Sequence, residues 1–201
     1  MPLARPVHIS GYSRRSHDFY STPEWVTACL LRHVPLRGPV WEPCCGDGAI
    51  ARVVEAAGQE VVATDLADHG FGVAGLDFFS CRALPTGCRS LVTNPPYGDG
   101  SEHSRATNAS AAMLRFVRHA LDMTEKADGQ LALLVRFQWI AGKKAAGLLS
   151  SGPLDRVIAL TRRIRWFDRG ALTNSGQHHH AWIVFDFARC PATPPRILFA
   201  Q

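Results

Sequence analysis

Long hydrophobic runs are absent from this sequence. The densest apolar stretch, residues 131–135, is far shorter than the ~18 residues a membrane span needs. No charged-then-apolar segment opens the chain: residues 1–16 are polar and dotted with arginine, so no secretory signal is expected there. The six cysteines (Cys29, Cys44, Cys45, Cys81, Cys88 and Cys190) contain no Cys-x-x-Cys pair, and two of them are adjacent. That spacing excludes a disulfide framework and a finger-type zinc site, so a reduced, cytoplasmic protein with no metal is expected. Internal repeats and low-complexity tracts are lacking as well. Charge of one sign is only modestly in excess: 22 Lys and Arg against 17 Asp and Glu give +5, which favours an anionic partner without demanding one. With 46% hydrophobic residues the chain is not disordered, and 201 residues suit one domain, 1–201.

What is present alternates. Residues 1–20 show no steady periodicity and read as an N-terminal arm. Thr22 is placed to cap a helix opened by Pro23, on which Val26, Leu30 and Val34 form a stripe. A strand over 39–42 runs into Pro43-Cys44-Cys45-Gly46-Asp47-Gly48, a helix over 49–57 follows, and 60–64 is the next strand, ended by Asp65. Another strand, 89–93, stops at Asn94-Pro95-Pro96-Tyr97. After a polar loop, 98–107, comes the best helix of the chain, 108–126, with Met113, Phe116, Val117, Ala120 and Leu121 on one face. A strand over 131–137, apolar without a break from Leu131 to Val135, suits a central position. A short helix over 143–149 and strands over 156–160 and 182–187 complete the pattern. Strand–helix units in this order predict an α/β, Rossmann-like fold: a mostly parallel seven-stranded sheet with an antiparallel C-terminal strand and helices on both faces. Ligands in such sheets sit beyond the carboxyl ends of the strands, where Glu42, Asp65, Asp77 and Asn94 would converge.

Gly46-Asp47-Gly48-Ala49-Ile50-Ala51 fits a relaxed dinucleotide fingerprint, with Asp65 19 residues after Gly46, so a nicotinamide-dependent oxidoreductase must be weighed. Charge argues against it. A dinucleotide puts phosphates at this loop, beside Glu42 and Asp47, and like charges in a partly desolvated pocket repel. S-adenosylmethionine is cationic, phosphate-free and adenosine-bearing, and suits these acids better. Its ammonium and sulfonium favour Glu42, its ribose hydroxyls can donate to Asp65, and its adenine amino group can donate to Asp77 with Phe78 packing on the ring.

Two prolines directly after an apolar strand make a rigid elbow without backbone donors. Its exposed groups are acceptors, the Asn94 side-chain oxygen and the Pro95 carbonyl, with the flat face of Tyr97 beside them. Methylation of a planar amino nitrogen needs such a corner. The nitrogen lone pair is delocalised, and two acceptors on its hydrogens draw it toward a tetrahedral, nucleophilic shape while Tyr97 stacks on the planar group.

Together, Glu42-Pro43-Cys44-Cys45-Gly46-Asp47-Gly48 and Asn94-Pro95-Pro96-Tyr97 resemble the amino-methyltransferases that act on adenine N6, cytosine N4 or glutamine amides. Tyr20-Ser21-Thr22-Pro23-Glu24-Trp25, lying before the glycine loop, resembles the cofactor-clamping segment of DNA adenine methyltransferases. Arg163-Ile164-Arg165-Trp166-Phe167 with Asn174-Ser175 resembles a segment of small phage-type DNA adenine methyltransferases. The resemblance spans about 20–187. It implies that Tyr20, Thr22 and Pro23 touch the methionine end of the cofactor. Glu42, Pro43, Cys44, Gly46 and Gly48 would line it, Asp65 and Leu66 take the ribose side, and Asp77 with Phe78 take the adenine. Asn94, Pro95, Pro96 and Tyr97 then take the target amine. Larger relatives of this layout carry a substantial target-recognition region. Here only 98–107 and 161–180 are available, so sequence specificity is expected to be short, loose or supplied by a partner chain; a homodimer is the other arrangement left open.

Arg156, Arg162, Arg163, Arg165 and Arg169 fall close together, with Trp166 and Phe167 between them, a composition suited to phosphates and unstacked bases. Arg163, Arg165, Trp166 and Lys143 are the candidate nucleic-acid contacts, on DNA before RNA. A duplex substrate would have to extrude its base. A solvated strand edge would use the same charges. His178-His179-His180 lacks a nearby acid or cysteine and reads as a polar wall or strand cap. Cys44 and Cys45 are read as small lining residues, because transfer to adenine N6 needs no covalent intermediate. The reading is therefore a DNA N6-adenine methyltransferase. RNA adenine, cytosine N4 or a protein glutamine amide are alternatives, and an inactive binding module is a further one.

Overall fold

The computed structural model describes residues 20–97, 109–166, 178–190 and 193–201. The elements are α1 (Glu24–His33), β1 (Val40–Glu42), α2 (Ala49–Ala56), β2 (Val61–Ala63), a 3-10 turn (Phe78–Ser80), β3 (Ser90–Thr93), α3 (Ala109–Glu125), β4 (Gln130–Arg136), α4 (Phe137–Ile140), α5 (Lys143–Ser151), β5 (Leu154–Leu160), β6 (His180–Asp186) and β7 (Arg196–Ala200). Residues 1–19 of the expected arm over 1–20 and the loop over 98–107 lie outside the described residues, as do 167–177 of the basic connection.

The strands form one seven-stranded sheet in the order β2-β1-β3-β4-β6-β5-β7. β6 runs antiparallel to both β4 and β5, and every other pairing is parallel. The expected α/β sheet of seven strands is therefore present. The antiparallel strand is not the last one in the chain, however. β7 follows it and adds parallel to β5 at the sheet edge, with Ile197 and Phe199 exposed. An edge strand with solvent on its apolar side chains carries no clear in–out alternation, so hydrophobic patterning passed over it.

β4 and β6 form the centre. Both are buried on both faces, and their side chains divide by parity. Ala132, Leu134, Trp182 and Val184 join the Val26, Leu30, Val34 stripe of α1 and Ile50 and Val54 of α2. Leu131, Leu133, Val135, Ile183 and Phe185 join Met113, Phe116, Val117 and Ala120 of α3. The two layers sandwich the sheet. The Trp182 indole donates to the Val26 carbonyl at 2.9 Å in a fully buried setting, which pins α1 to the sheet centre.

The start of α1 departs from expectation. Pro23 occupies the cap position and no side chain caps the helix. The Val26 amide is instead satisfied by the Pro23 carbonyl at 3.0 Å. Thr22, buried one residue earlier, accepts a hydrogen bond from the Asn94 side chain. Gly48 also has a different task from the one expected. It caps α2 with φ +79, and a Cβ there would lie 2.4 Å from the Phe71 ring. It gives room to Phe71, whose ring carries the Arg52 guanidinium at 4.6 Å, and it does not face the cavity described below.

Gly48→Ala should lower stability by about 1–3 kcal/mol, through positive φ and the ring clash together. Phe71→Ala in the same chain should return only the clash part. Chemical denaturation of the two variants and their combination separates the contributions; additive losses would show that ring and glycine do not touch.

Candidate functional site

β1 and β3 are adjacent and parallel, so Glu42 at the end of β1 and Asn94, just after β3, emerge on one rim of the sheet. β2 pairs with the other side of β1 and delivers Asp65 to the same rim. Between them is a cavity of about 370 Å³, within the ~300–1,000 Å³ range of small-molecule sites. Of the residues singled out from sequence, Tyr20, Thr22, Glu42, Pro43, Cys44, Gly46, Asp65, Leu66, Asp77, Phe78, Asn94 and Pro96 line it. Pro23, Gly48, Pro95 and Tyr97 do not.

The glycine loop is held by carboxylates. Asp65 accepts from the Gly46 amide at 2.8 Å and from the Ala67 amide at 2.9 Å. Asp47 accepts from the Ala49 amide at 3.2 Å, and Glu42 accepts from the Ala51 amide at 2.8 Å. The Ala49 and Ala51 amides at the start of α2, where helix amides elsewhere cradle phosphate, are thus occupied by acids. Glu42 is 1% exposed. Burial foremost, then the charges of Asp47, Asp65 and Glu55, raises its pKa well above the carboxylate range against the lowering effect of the Ala51 amide. A cation entering here would lower that pKa again. At the far end, Asp77 accepts from the Phe79 amide at 2.9 Å and caps the 3-10 turn, leaving its carboxylate exposed beside Leu76 and Phe79.

Phe78 is buried and stacks on Phe116 with centroids 4.2 Å apart and planes 19° apart. One of its faces is therefore taken by the protein. Phe79, half-buried and carrying the Arg115 guanidinium 4.0 Å over its ring, lines the cavity alongside it. Ala112, Arg115 and Phe116 of α3 complete this wall. Sequence reading missed them because α3 follows 98–107, and Arg115, like Arg118, reads as solvated helix surface. Cys44 and Cys45 stay protonated. Burial, with Glu42 and Asp65 beside them, pushes the Cys44 thiol well up and that of Cys45 to about 12, so neither is a ready nucleophile.

Asn94 is the polar group of the Pro-Pro corner. Its Nδ2 donates to the Thr22 hydroxyl at 3.2 Å, while its Oδ1 is buried with no hydrogen-bond partner. Tyr97 is turned differently from the expected open platform. Its hydroxyl donates to the Leu134 carbonyl at 3.2 Å, the Arg136 guanidinium lies 5.0 Å from its ring centroid, and His180 meets it edge-on. Burial pushes its phenol pKa up, so it remains neutral.

Of the candidate nucleic-acid contacts, Arg163 and Arg165 are exposed; Arg163 donates to the His179 ring at 3.1 Å. Trp166 packs at a tilt on Tyr20, centroids 5.7 Å apart, and against the edge of His180. It thereby joins the basic connection to a residue that lines the cavity. Lys143 is exposed at the start of α5. Among the described residues no three His, Cys, Asp or Glu side chains gather as metal ligands, and no helix is long and apolar enough to cross a membrane. His180 is 3% exposed; burial first, then nearby Arg136, lowers its pKa to about 4.

No protein-family model matches this chain, and no curated protein matches it in sequence. Solved structures do resemble it. A Listeria monocytogenes protein assigned as a class I S-adenosylmethionine-dependent methyltransferase aligns with TM-score 0.61 and 16% identity, over 95% of this chain and 68% of that one. A Pyrococcus horikoshii protein assigned as an RNA methyltransferase gives TM-score 0.54 and 12% identity, over 88% and 90%. The M protein of the type I restriction enzyme EcoKI gives 0.52 and 13%, over 84% and 44%. The chain thus spans less than half the length of the EcoKI protein. At these identities the likeness establishes the fold, which is the Rossmann-like class I methyltransferase fold.

Two pH responses follow from these environments. Ionising Glu42 in the fold is unfavourable relative to the unfolded chain, so this site withdraws stability as pH rises above ~4.3. Glu42→Gln keeps an acceptor for the Ala51 amide and removes the charge. Its Tm without ligand should exceed that of the wild type at neutral pH, by about 2–4 °C per kcal/mol removed, and the gap should close toward pH ~4; a constant gap would exclude ionisation as its cause. His180 has the opposite sign of dependence. Because its folded pKa is lowered, stability is lost as pH falls from ~6.5 to about 4. Thermal scans of His180→Gln across that window should show a shallower decline than the wild type.

Proposed function

We propose that this chain is a single S-adenosylmethionine-dependent methyltransferase domain whose substrate is the exocyclic amine of adenine, N6, in DNA. The observation that carries the reading is Asn94: a buried, unpartnered acceptor held on a proline corner at the edge of a cavity where the Gly46, Ala49 and Ala51 amides are already occupied by acids.

The residues present fit that cofactor. When bound, it supplies an electrophilic methyl group on a sulfonium. Glu42, which lines the cavity, is biased toward its neutral form by burial and would ionise against a cationic ligand. Asp65 has taken one amide on each oxygen and keeps further lone pairs for ribose hydroxyls. Asp77 caps its turn with one oxygen and can accept from an adenine amino group with the other. A dinucleotide finds no equivalent here, because its phosphates would meet Glu42, Asp47 and Asp65 instead of free amides.

The chain's own work is to grip the amine. Asn94 Oδ1 and the Pro95 carbonyl each accept one N–H, drawing the nitrogen lone pair out of conjugation and toward the methyl carbon. Were the methyl group to pass from the sulfonium to this nitrogen, the same two oxygens would stabilise the positive charge it gains. The extra proton then leaves from nitrogen to water. Thr22 keeps the Asn94 amide in place. The net charge of +5 and the exposed Arg163 and Arg165 support nucleic acid over protein as the substrate. The likeness to a restriction–modification M protein supports a partner chain as the source of sequence recognition.

Incubation with a labelled methyl donor and parallel DNA, RNA and protein pools, followed by digestion, should yield N6-methyladenine from DNA. Label in glutamine would remove the nucleic-acid reading. Asn94→Ala should cut turnover about 10²–10³-fold with S-adenosylhomocysteine affinity nearly unchanged. Wild-type turnover in that variant would defeat the mechanism.

A further inference from the structure

β4 ends at Arg136, two residues beyond Leu134, so the two side chains leave the strand on the same face. The Leu134 carbonyl fixes the Tyr97 hydroxyl at 3.2 Å. The Arg136 guanidinium lies over the ring so fixed, 5.0 Å from its centroid. Arg136 is half-buried, and among the described residues its guanidinium makes no ion pair and no hydrogen bond. Among the described residues the titratable groups facing it are Tyr97, His178 and His180. The phenol is neutral, and both histidines are biased toward the neutral form by burial and by Arg136 itself. A planar cation with five donors, and with no anion among the described residues, thus covers the ring that follows the Asn-Pro-Pro corner. His180 walls the same space. Its ring stands at 81° to Tyr97 and 80° to Trp166, and its buried Nδ1 has no partner.

We infer that Arg136 holds the place of the target base: in the free protein its guanidinium occupies the Tyr97 face on which the base stacks, and on binding nucleic acid it leaves the ring for a backbone phosphate. The exchange is favourable in kind. A cation over a phenol ring is a weak contact at a partly exposed position, whereas guanidinium with phosphate makes paired, charge-assisted hydrogen bonds. The unpaired Nδ1 of His180 then meets the edge of the incoming base. The inference rests on the reading that an amine-bearing base is brought to Asn94.

Binding measurements test it with the full chain saturated in S-adenosylhomocysteine, using two probes: an adenine-containing single-stranded oligodeoxynucleotide, and adenosine, which has no phosphate. For Arg136→Ala the oligonucleotide should bind about tenfold more weakly, with the slope of log affinity against log salt shallower by about one. Adenosine should bind about two- to fivefold more tightly, because the ring face is uncovered. Arg136→Lys should keep the wild-type salt slope. A purely structural arginine would weaken both probes together. Weaker or unchanged adenosine binding in Arg136→Ala, an unaltered salt slope, or no oligonucleotide binding by the wild type would each overturn the proposal. Failure of the methyltransferase reading is seen separately, as no S-adenosylhomocysteine binding and no methyl transfer by the wild type.

Discussion

Carboxylates standing where phosphate would bind are the constraint on which this site depends. Glu42, Asp47 and Asp65 accept from the Ala51, Ala49 and Gly46 amides. Each bond satisfies a donor that the start of a helix or a tight turn leaves open. Together they make the mouth of the glycine loop negative. The amides and the dipole of α2 offset part of that charge, but the offset is incomplete at Glu42, where burial and the neighbouring acids still favour the protonated form. Such a loop repels anions and gains from a cation. One arrangement therefore fixes the loop's shape and selects the charge of what it can hold.

The sheet converts this loop into a site through register alone. β1 sits between β2 and β3, all parallel, so three successive connections leave the same edge and bring Glu42, Asp65 and Asn94 together from positions far apart in the chain. The fourth contribution comes from the N-terminal side of α1. That helix is anchored by its apolar stripe and by the Trp182 indole on the Val26 carbonyl. Thr22, carried just ahead of it, reaches Asn94 across 72 residues. Packing of α1 against β6 is thus what holds an otherwise free amide at the corner.

These facts explain which parts were legible in the sequence. The glycine loop, the acids after β1 and β2 and the Asn-Pro-Pro turn are local patterns, and the structure puts most of those residues on one cavity. The strands of β4 and β6 were legible because burial on both faces leaves an unbroken apolar run. Long-range partnerships were not. Nothing in the spacing around Thr22 shows that its hydroxyl serves Asn94 instead of capping α1. Gly48 fits a cofactor fingerprint, yet what excludes a side chain there is Phe71, in a different loop. The Tyr97 ring follows a motif, but what lies on its face is decided by where β4 ends. β7 and the α3 wall of Ala112, Arg115 and Phe116 escaped because an exposed edge strand and a helix rim carry little periodic signal.

Asn94 carries a cost in stability that this corner holds in place. A buried acceptor with no partner costs about 1–3 kcal/mol, and a fold under selection for stability alone would have supplied a donor. The Pro-Pro sequence removes the nearest candidates, because neither Pro95 nor Pro96 has an N–H to offer. Thr22 occupies the other end of the amide, so rotation away from the cavity would break a hydrogen bond without satisfying Oδ1. The cost is held in place by proline on one side and by α1 on the other. A group with N–H bonds entering the cavity recovers it, and recovers most when its nitrogen becomes positively charged. Such an acceptor is oriented before any ligand arrives and needs no reorganisation on binding, which is the condition under which a fixed dipole contributes most.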